Sequence, residues 1–276
     1  MVAPYYDDKG ITLYHGDCLA VMAGLADRSF DAVICDPPYG TTACSWDTVI
    51  PFAPMWAQLM RLIRPRGAIV LFGSQPFTSA LVMSNPGWYR HSWVWDKRRA
   101  TGGANAEIAP MKAHEDVIIF GKHGVTYIPQ MGLWEDITRS RKRSAFRKKT
   151  ESFSHADHYS PGREEQLRRG RYPDTVLRIP ALGSIDPERT AHPTQKPLAL
   201  LEYLVKTYTQ EGDVILDFTA GSGTTLRAAK NLKRRAIGIE LLEPYCAVTV
   251  ARLAPRFEDA IPAPACADYG PLFEGL

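Results

Sequence analysis

Apolar and polar positions follow two alternating patterns along most of the chain. Short strand-like runs lie at 11–15, 30–35, 68–72, 91–95 and 115–120, while stretches between them, such as 52–63, repeat their apolar residues every three or four positions. The run at 68–72 is entirely apolar, as expected for a central strand covered on both faces. Strands that alternate with amphipathic helices predict an α/β protein built on a mostly parallel sheet.

The same alternation returns near the carboxyl terminus. It predicts a helix over 198–208, a strand at 214–216, a helix at 226–232, a strand at 236–240 and a helix at 244–253. Each predicted strand is short and each helix presents one apolar face, which is typical of βαβ units.

Periodicity fails from about residue 125 to residue 190. The 276-residue chain is only mildly basic, with a net charge of +3, but 139–171 alone carries eleven Lys and Arg residues against four acids. So long an irregular stretch is usually functional or disordered, and its charge favours a polyanionic partner. The alternative is a solvated loop without a partner. We therefore divide the chain into 1–124, an insert at 125–190, a second half at 191–255 and a tail at 256–276.

Cysteine usage and apolar content indicate the compartment. The five cysteines are odd in number and form no C-x-x-C pair, which argues against a disulfide framework or a structural metal site. The amino terminus has no signal-like apolar segment, and the longest apolar runs are too short to cross a bilayer. We expect a cytoplasmic protein without bound metal.

The predicted strand at 30–35 ends in Asp36-Pro37-Pro38-Tyr39. The prolines force the backbone out of the sheet, so a carboxylate, free carbonyls and an aromatic ring gather at the carboxyl end of a strand, where α/β sheets bind ligands. The Asp36 carboxylate and the Pro37 carbonyl can each accept one N–H of an exocyclic nucleobase amine, and Tyr39 can stack on a base outside the helix. A simple proline-stiffened turn is the alternative interpretation.

A second ligand motif lies in the carboxyl-terminal half. The strand at 214–216 runs into Asp217 and a loop with Gly221 and Gly223, and the strand at 236–240 ends on Glu240. This arrangement predicts a nucleoside site in which Glu240 accepts the ribose hydroxyls. The third small residue of a dinucleotide fingerprint is missing, so a nucleoside without pyrophosphate fits better.

Three motifs together resemble a known family. The tetrapeptide 36–39, the segment Asp217–Thr225 and His192-Pro193-Thr194-Gln195-Lys196-Pro197 are similar to those of DNA amino-methyltransferases that use S-adenosylmethionine, in the order of the β class. The resemblance implies a Rossmann-like methyltransferase sheet, mostly parallel with one antiparallel edge strand, and an inserted target-recognition region. Asp rather than Ser at position 36 favours adenine N6 over cytosine N4 in this family.

The resemblance also implies a role for each motif residue. Asp36, Pro37, Pro38 and Tyr39 are the expected catalytic residues. Asp17 would bind the adenine amine of the cofactor, with Cys18 giving backbone contacts, while Thr194 and Lys196 would reach its carboxylate. The remaining expected cofactor-binding residues are Asp217, Phe218, Ala220, Gly221, Ser222, Gly223, Thr224 and Glu240.

Simpler interpretations of three of these residues stay open. Asp17 can be explained as a helix cap, Lys196 as a solvated surface lysine and Glu240 as part of a turn. Only the packing of the folded chain can decide among them.

The expected partner is double-stranded DNA, from which a target adenine would be rotated out of the helix. The predicted DNA contacts are Arg139, Arg141, Lys142, Arg143, Arg147, Lys148, Lys149, Arg168, Arg169 and Arg171. A homodimer is one expected state, since members of the class often pair and two copies would suit a palindromic site. The enzyme would act in a restriction–modification system or as an orphan.

Three other functions compete with this prediction. The nearest is a cytosine-N4 methyltransferase. The second is a catalytically silent DNA-binding regulator, and the third is a methyltransferase of protein glutamine side chains.

Overall fold

A computed structural model describes residues 3–41, 44, 46–101, 103, 106–132 and 171–254. The strands in these ranges are β1 (Tyr6–Asp8), β2 (Ile11–His15), β3 (Phe30–Cys35), β4 (Ile63–Gly73), β5 (Tyr89–Thr101), β6 (Lys112–Phe120), β7 (Val176–Arg178), β8 (Val214–Asp217) and β9 (Arg235–Glu240). The helices are α1 (Cys18–Ala23), α2 (Phe52–Leu62), α3 (Phe77–Ser84), α4 (Leu198–Tyr208), α5 (Thr224–Asn231) and α6 (Glu243–Leu253).

All of these strands belong to a single sheet. Their order is β1-β2-β9-β8-β3-β4-β6-β5-β7, and every neighbouring pair is parallel except β1–β2, β4–β6 and β5–β6. The predicted α/β fold with a mostly parallel sheet is therefore confirmed. The antiparallel edge strand is β1, but β6 is also reversed and lies inside the sheet. It returns from β5 by a short connection, which only an antiparallel neighbour permits.

Helices cover both faces of this sheet because successive strand residues point to opposite sides. On one face, residues such as Ile34 and Val70 pack with α4, α5 and α6. On the other face, Val33 and Ile69 pack with α1, α2 and α3. The apolar run at 68–72 is buried on both sides, as its composition predicts.

Most predicted elements agree with the structure to within a few residues, but β4, β5 and β6 are longer than predicted. Strand β4 begins at Ile63 and passes through Pro65. Proline is tolerated there because residues 64–67 lie opposite Asp31 alone, in a break of the β3–β4 register.

Part of the irregular segment at 125–190 joins the sheet. Strand β7 pairs with β5, and the N–H of Ile128 donates to the carbonyl of Thr207 at 2.7 Å. Gly132 and Arg171 form an antiparallel bridge, and residues 133–170 between them lie outside the described residues. The pattern missed β7 because a three-residue strand is too short to show periodicity. Residues 255–276, which include the predicted tail, also lie outside the described residues.

Tyr208 at the end of α4 makes a buried polar contact with the sheet. Its hydroxyl accepts a hydrogen bond from Trp93 Nε1 at 2.6 Å and lies 2.9 Å from His91 Nε2. We expect Tyr208→Phe to lower the free energy of unfolding by about 1–3 kcal/mol, because it leaves the buried indole N–H without an acceptor. Urea denaturation measures this change. Tyr203→Phe is the control, since the Tyr203 hydroxyl makes no hydrogen bond within the described residues, and equal losses in both variants would contradict the argument.

Candidate active site

A cavity of about 470 Å³ opens at the carboxyl edge of the sheet, where β2, β3, β8 and β9 end. Every predicted catalytic and cofactor-binding residue lines it except Gly223, which packs behind the loop against Thr249. The volume is within the range of about 300–1,000 Å³ that is usual for small-molecule sites. Two motifs far apart in sequence therefore share one chamber.

The tetrapeptide 36–39 leaves β3 at this edge. The Tyr39 hydroxyl donates to Asp36 Oδ1 at 2.5 Å, and the Tyr39 ring stacks on Phe77 with centroids 5.1 Å apart. The Thr219 hydroxyl donates to the backbone carbonyl of Asp36 at 2.9 Å, which joins the β3 end to the loop after β8. In the described part of the chain no hydrogen bond occupies the Pro37 carbonyl, so this acceptor is available to a ligand.

Asp36 ends a chain of four alternating charges. Lys196 Nζ donates to Asp36 Oδ2 and lies 3.3 Å from Glu115 Oε2, while Lys97 Nζ lies 2.5 Å from Glu115 Oε1. Lys196 is only 8% exposed, which is incompatible with a solvated surface lysine. The sequence prediction missed both Glu115 and Lys97, because acids and bases at strand ends are common on surfaces.

Burial and pairing set the ionisation of these groups. Burial raises the pKa of Asp36, Lys196 opposes this rise and Glu115 adds to it. Burial also disfavours the charged form of Lys196, but Asp36 and Glu115 outweigh it and raise the pKa of Lys196 to about 12. Burial opposes ionisation of Glu115 as well, yet Lys196 and Lys97 hold the pKa of Glu115 below its usual value. Lys196 thus remains cationic at neutral pH.

Glu240 organises the opposite side of the cavity. Its carboxylate accepts the N–H of Gly221 at 2.7 Å and of Leu242 at 2.8 Å. Burial raises its pKa, and these two backbone donors oppose the rise. Glu240 therefore completes the local turn and also faces the cavity, and its predicted contact with a ribose stays a prediction.

Asp17 likewise serves the fold and faces the cavity. Its Oδ1 accepts the N–H of Ala20 at 2.9 Å and caps α1. The predicted contact with a cofactor amine is not excluded by this cap, because the second carboxylate oxygen has no hydrogen bond in the described ranges.

The glycine loop requires its glycines. Gly221 and Gly223 have φ values of 54° and 72°. A Cβ on Gly221 would lie 2.9 Å from His192 Nε2, and one on Gly223 would lie 2.5 Å from Thr249 Cγ2. Side chains at these positions would strain the backbone and collide with His192 in the cavity wall or with Thr249 behind the loop.

Arg252 of α6 supports this loop from below, and sequence reasoning missed it. It is buried, and its Nη1 donates to the carbonyl of Ser222 and the hydroxyl of Thr224, both at 2.8 Å. Burial lowers the pKa of Arg252 to about 10, and Glu188 at 3.3 Å opposes the decrease. A cation in the last turn of an otherwise apolar helix face was the only sequence signal.

Two further groups in the wall have strongly shifted ionisation. Burial raises the pKa of Asp217 to about 7, although the hydroxyl of Thr225 and the N–H of Thr219 favour its charged form. Burial lowers the pKa of His192 to about 4, and the nearby cations Lys196, Arg252 and Arg189 add to this effect. His192 packs on Tyr245 with ring centroids 4.4 Å apart.

The wall suits a nucleoside with a charged tail. A glycine loop too close-packed for a Cβ, two carboxylates with acceptor capacity and the apolar Phe218 and Leu241 surround one space. Thr194 lies exposed at its rim and Lys196 lies inside it. These donor and acceptor types match the adenosyl and amino-acid groups of S-adenosylmethionine.

Most of the predicted DNA contacts fall outside the described residues. These are Arg139, Arg141, Lys142, Arg143, Arg147, Lys148, Lys149, Arg168 and Arg169. Arg171 is described, is exposed and lies 3.7 Å from Asp174.

The fold and the cavity are those of a methyltransferase that uses S-adenosylmethionine. Comparison with known proteins defines its family. The sequence profile of the DNA methylase family matches residues 30–251. The chain belongs to this family. The prediction of a site-specific DNA methyltransferase is thereby confirmed.

Individual relatives agree with this assignment. The Type II methyltransferase M.HpaI of Haemophilus parainfluenzae is 26% identical over 87% of this chain and 73% of its own length. The crystal structure of the M1.HpyAVI–SAM complex is 25% identical, with a TM-score of 0.57, and the match covers 87% of this chain and 98% of that one. PvuII DNA methyltransferase, which is cytosine-N4-specific, shares the fold at a TM-score of 0.66 but only 17% identity over 91% of this chain and 89% of that one.

Of the helices that the structure describes, none combines the length and apolar character needed to cross a membrane.

Acid should destabilise the fold through His192. A folded pKa near 4 lies below the unfolded value of about 6.5, so its stabilising contribution is complete above pH 6.5 and is lost as pH falls toward 4. We expect wild type to lose up to about 3 kcal/mol across this window relative to His192→Gln. Urea unfolding at several pH values measures the difference. His123→Gln, at an exposed site, should behave as wild type; parallel pH curves for wild type and His192→Gln would refute the prediction.

Proposed function

We propose that this protein transfers a methyl group from S-adenosylmethionine to N6 of an adenine rotated out of duplex DNA. The observation that carries the proposal is the shared cavity, into which both the tetrapeptide 36–39 and the glycine loop open. An amine held by the first and a cofactor held by the second would therefore meet without either motif moving far.

The cofactor is S-adenosylmethionine, which supplies an activated methyl group and needs no metal. Phe218, Ala220, Gly221 and Ser222 would line its methionine part, and Glu240 would hold the ribose. Asp17 and the backbone near Cys18 would bind the adenine ring. Thr194 would bind the carboxylate, and Lys196, which lines the same cavity while paired with Asp36, would place a positive charge near it.

The chain's own residues orient the amine. The Asp36 carboxylate and the Pro37 carbonyl would each accept one N–H of the amine, which directs its nitrogen lone pair toward the cofactor side of the cavity. Tyr39, packed on Phe77 and bonded to Asp36, is held in place to stack on the base. The amine loses one proton on methylation, and Asp36 or water accepts it.

The two other DNA-directed functions can be distinguished from this one. Asp36 favours adenine, but the fold likeness to a cytosine-N4 enzyme keeps that base as the alternative. A silent DNA-binding protein would have no need of a partly buried carboxylate paired with a buried lysine, yet Asp36 and Lys196 form such a pair.

The same proposal implies a binding partner, an oligomeric state and a cellular compartment. The basic segment at 139–171 would contact DNA phosphates and bases, and a homodimer would match a palindromic site. Among the described residues Cys18, Cys35 and Cys246 are free thiols, which supports a reducing cytoplasm.

Asp36→Asn tests the proposed chemistry. We expect methylation to fall by at least about 10²–10³-fold, because a preorganised charged acceptor is lost, while cofactor affinity stays near wild type. Nucleoside digestion of product DNA measures the modified base, and calorimetry measures cofactor binding. Asp8→Asn on exposed β1 is the control. N4-methylcytosine in the wild-type product would establish the alternative base, and wild-type turnover by Asp36→Asn would refute the mechanism.

The charge chain predicts opposite pH shifts from Glu115 and Lys97, the two members that lie beyond Lys196 from Asp36. The negative charge of Glu115 raises the pKa of Asp36, so Glu115→Gln should move the acid limb of the kcat profile to lower pH. Lys97→Met removes a positive charge that offsets Glu115 and should move the same limb to higher pH. A purely structural role would lower activity without moving the limb. Shifts of the same sign in both variants would contradict this assignment.

A further inference from the structure

Strand β5 carries an unusual irregularity at its carboxyl end. Asp96 pairs with His114 and Thr101 pairs with Lys112, so residues 97–100 lie opposite Ala113 alone. Such a bulge lifts the surplus residues out of the ladder and redirects their side chains. We call residues 97–100 the basic bulge, since Lys97, Arg98 and Arg99 occupy three of its four positions.

The basic bulge stands at the rim of the active-site cavity. Lys97 turns inward to Glu115 at 2.5 Å, and Glu115 lines the cavity. Lys112, on the facing strand, also lines the cavity and reaches Ser74 Oγ at 3.4 Å. A duplex that entered the cavity from this side to place a base beside Asp36 would come close to the basic bulge.

The outer two arginines present their charge to solvent. Arg99 is exposed and has no hydrogen bond or ion pair among the described residues. The Arg98 side chain is 57% exposed, and its single ionic neighbour in the described ranges is Asp96 at 3.6 Å, too long for a strong pair. Two adjacent cations without adequate counter-charge attract an anionic ligand.

The backbone holds the arginines in this arrangement at a cost. Arg98 has φ +55°, a left-handed conformation that costs a residue with a Cβ about 1–2 kcal/mol. The N–H of Arg98 donates to Asp96 Oδ1 at 2.8 Å, and the N–H of Ala181 donates to the carbonyl of Lys97 at 2.9 Å. These hydrogen bonds connect the basic bulge to Asp96 and to Ala181, so the backbone that carries the two arginines is held on both sides.

We propose that Arg98 and Arg99 form a phosphate-binding element that grips the DNA backbone beside the extruded base. The proposal rests on the proposed function, because it takes DNA as the substrate. It is separate from the basic segment at 139–171 and places backbone contacts on the catalytic sheet itself. Such contacts set the register of a duplex without reading its sequence.

The test compares two pairs of substitutions. The first is Arg98→Asn with Arg99→Gln, in which Asn suits the left-handed backbone. The control is Arg28→Asn with Arg66→Gln. These residues lie near the amino-terminal ends of β3 and β4, away from the cavity; Arg28 also has positive φ (51°), and both side chains are exposed. Each pair removes two positive charges from a comparable backbone setting.

Binding to a labelled random-sequence duplex is measured by fluorescence anisotropy between about 50 and 200 mM salt. We expect the first pair to weaken binding about tenfold or more and to reduce the slope of log affinity against log salt by about 1.8, or 0.9 for each lost phosphate contact. The control pair should match wild type in both. An unchanged slope in the first pair, or an equal change in the control pair, would overturn the proposal.

A charge-preserving variant separates charge from shape. Arg98→Lys with Arg99→Lys should keep the wild-type slope of log affinity against log salt. A decrease in this slope equal to that of Arg98→Asn with Arg99→Gln would overturn the proposal. Thermal unfolding and cofactor binding check that each variant is folded. Because the measurement is of binding alone, a protein that bound DNA in this way but methylated no base would refute the proposed function and leave this inference standing.

Discussion

The structure around Asp36 depends on the ion pairs that the buried ammonium of Lys196 makes. This ammonium lies between Asp36 and Glu115, two carboxylates that would repel each other in a partly buried space, and it pairs with both. Removing one partner of such a buried pair typically costs about 3–5 kcal/mol. The same ammonium ties the loop before α4 to the end of β3 and to β6, so the position of the Asp36 carboxylate and the sheet geometry depend on one another.

Charge balance also explains why Lys97 belongs to the site. Lys97, Glu115, Lys196 and Asp36 alternate in sign and sum to zero, so the chain as a whole has little net repulsion. Its outer end lies on the basic bulge and its inner end faces the cavity. DNA bound at the proposed phosphate-binding element would therefore be linked to the ionisation of Asp36 through three ion pairs.

Sequence reasoning recovered the parts of this structure that have periodic or motif signals. The helix at 198–208 and the strand at 30–35 were predicted with the observed bounds, because each shows an uninterrupted pattern. The positions of β1 and β7 were missed because three residues show no period. Arg252 and Glu115 were missed for a different reason: their significance comes from partners 64 and 81 positions away, which no local pattern encodes.

The order of the two motifs along the chain has no bearing on the geometry of the site. Strands β3 and β8 are parallel neighbours, so the tetrapeptide after the first and the glycine loop after the second must emerge at the same edge. The Thr219 hydroxyl then joins the two directly by donating to the Asp36 carbonyl. Whichever motif the chain visits first, pairing of these two strands is sufficient to bring them together. The described residues on either side of 133–170 meet in the Gly132–Arg171 bridge, and β7 then pairs with β5 at the edge of the sheet.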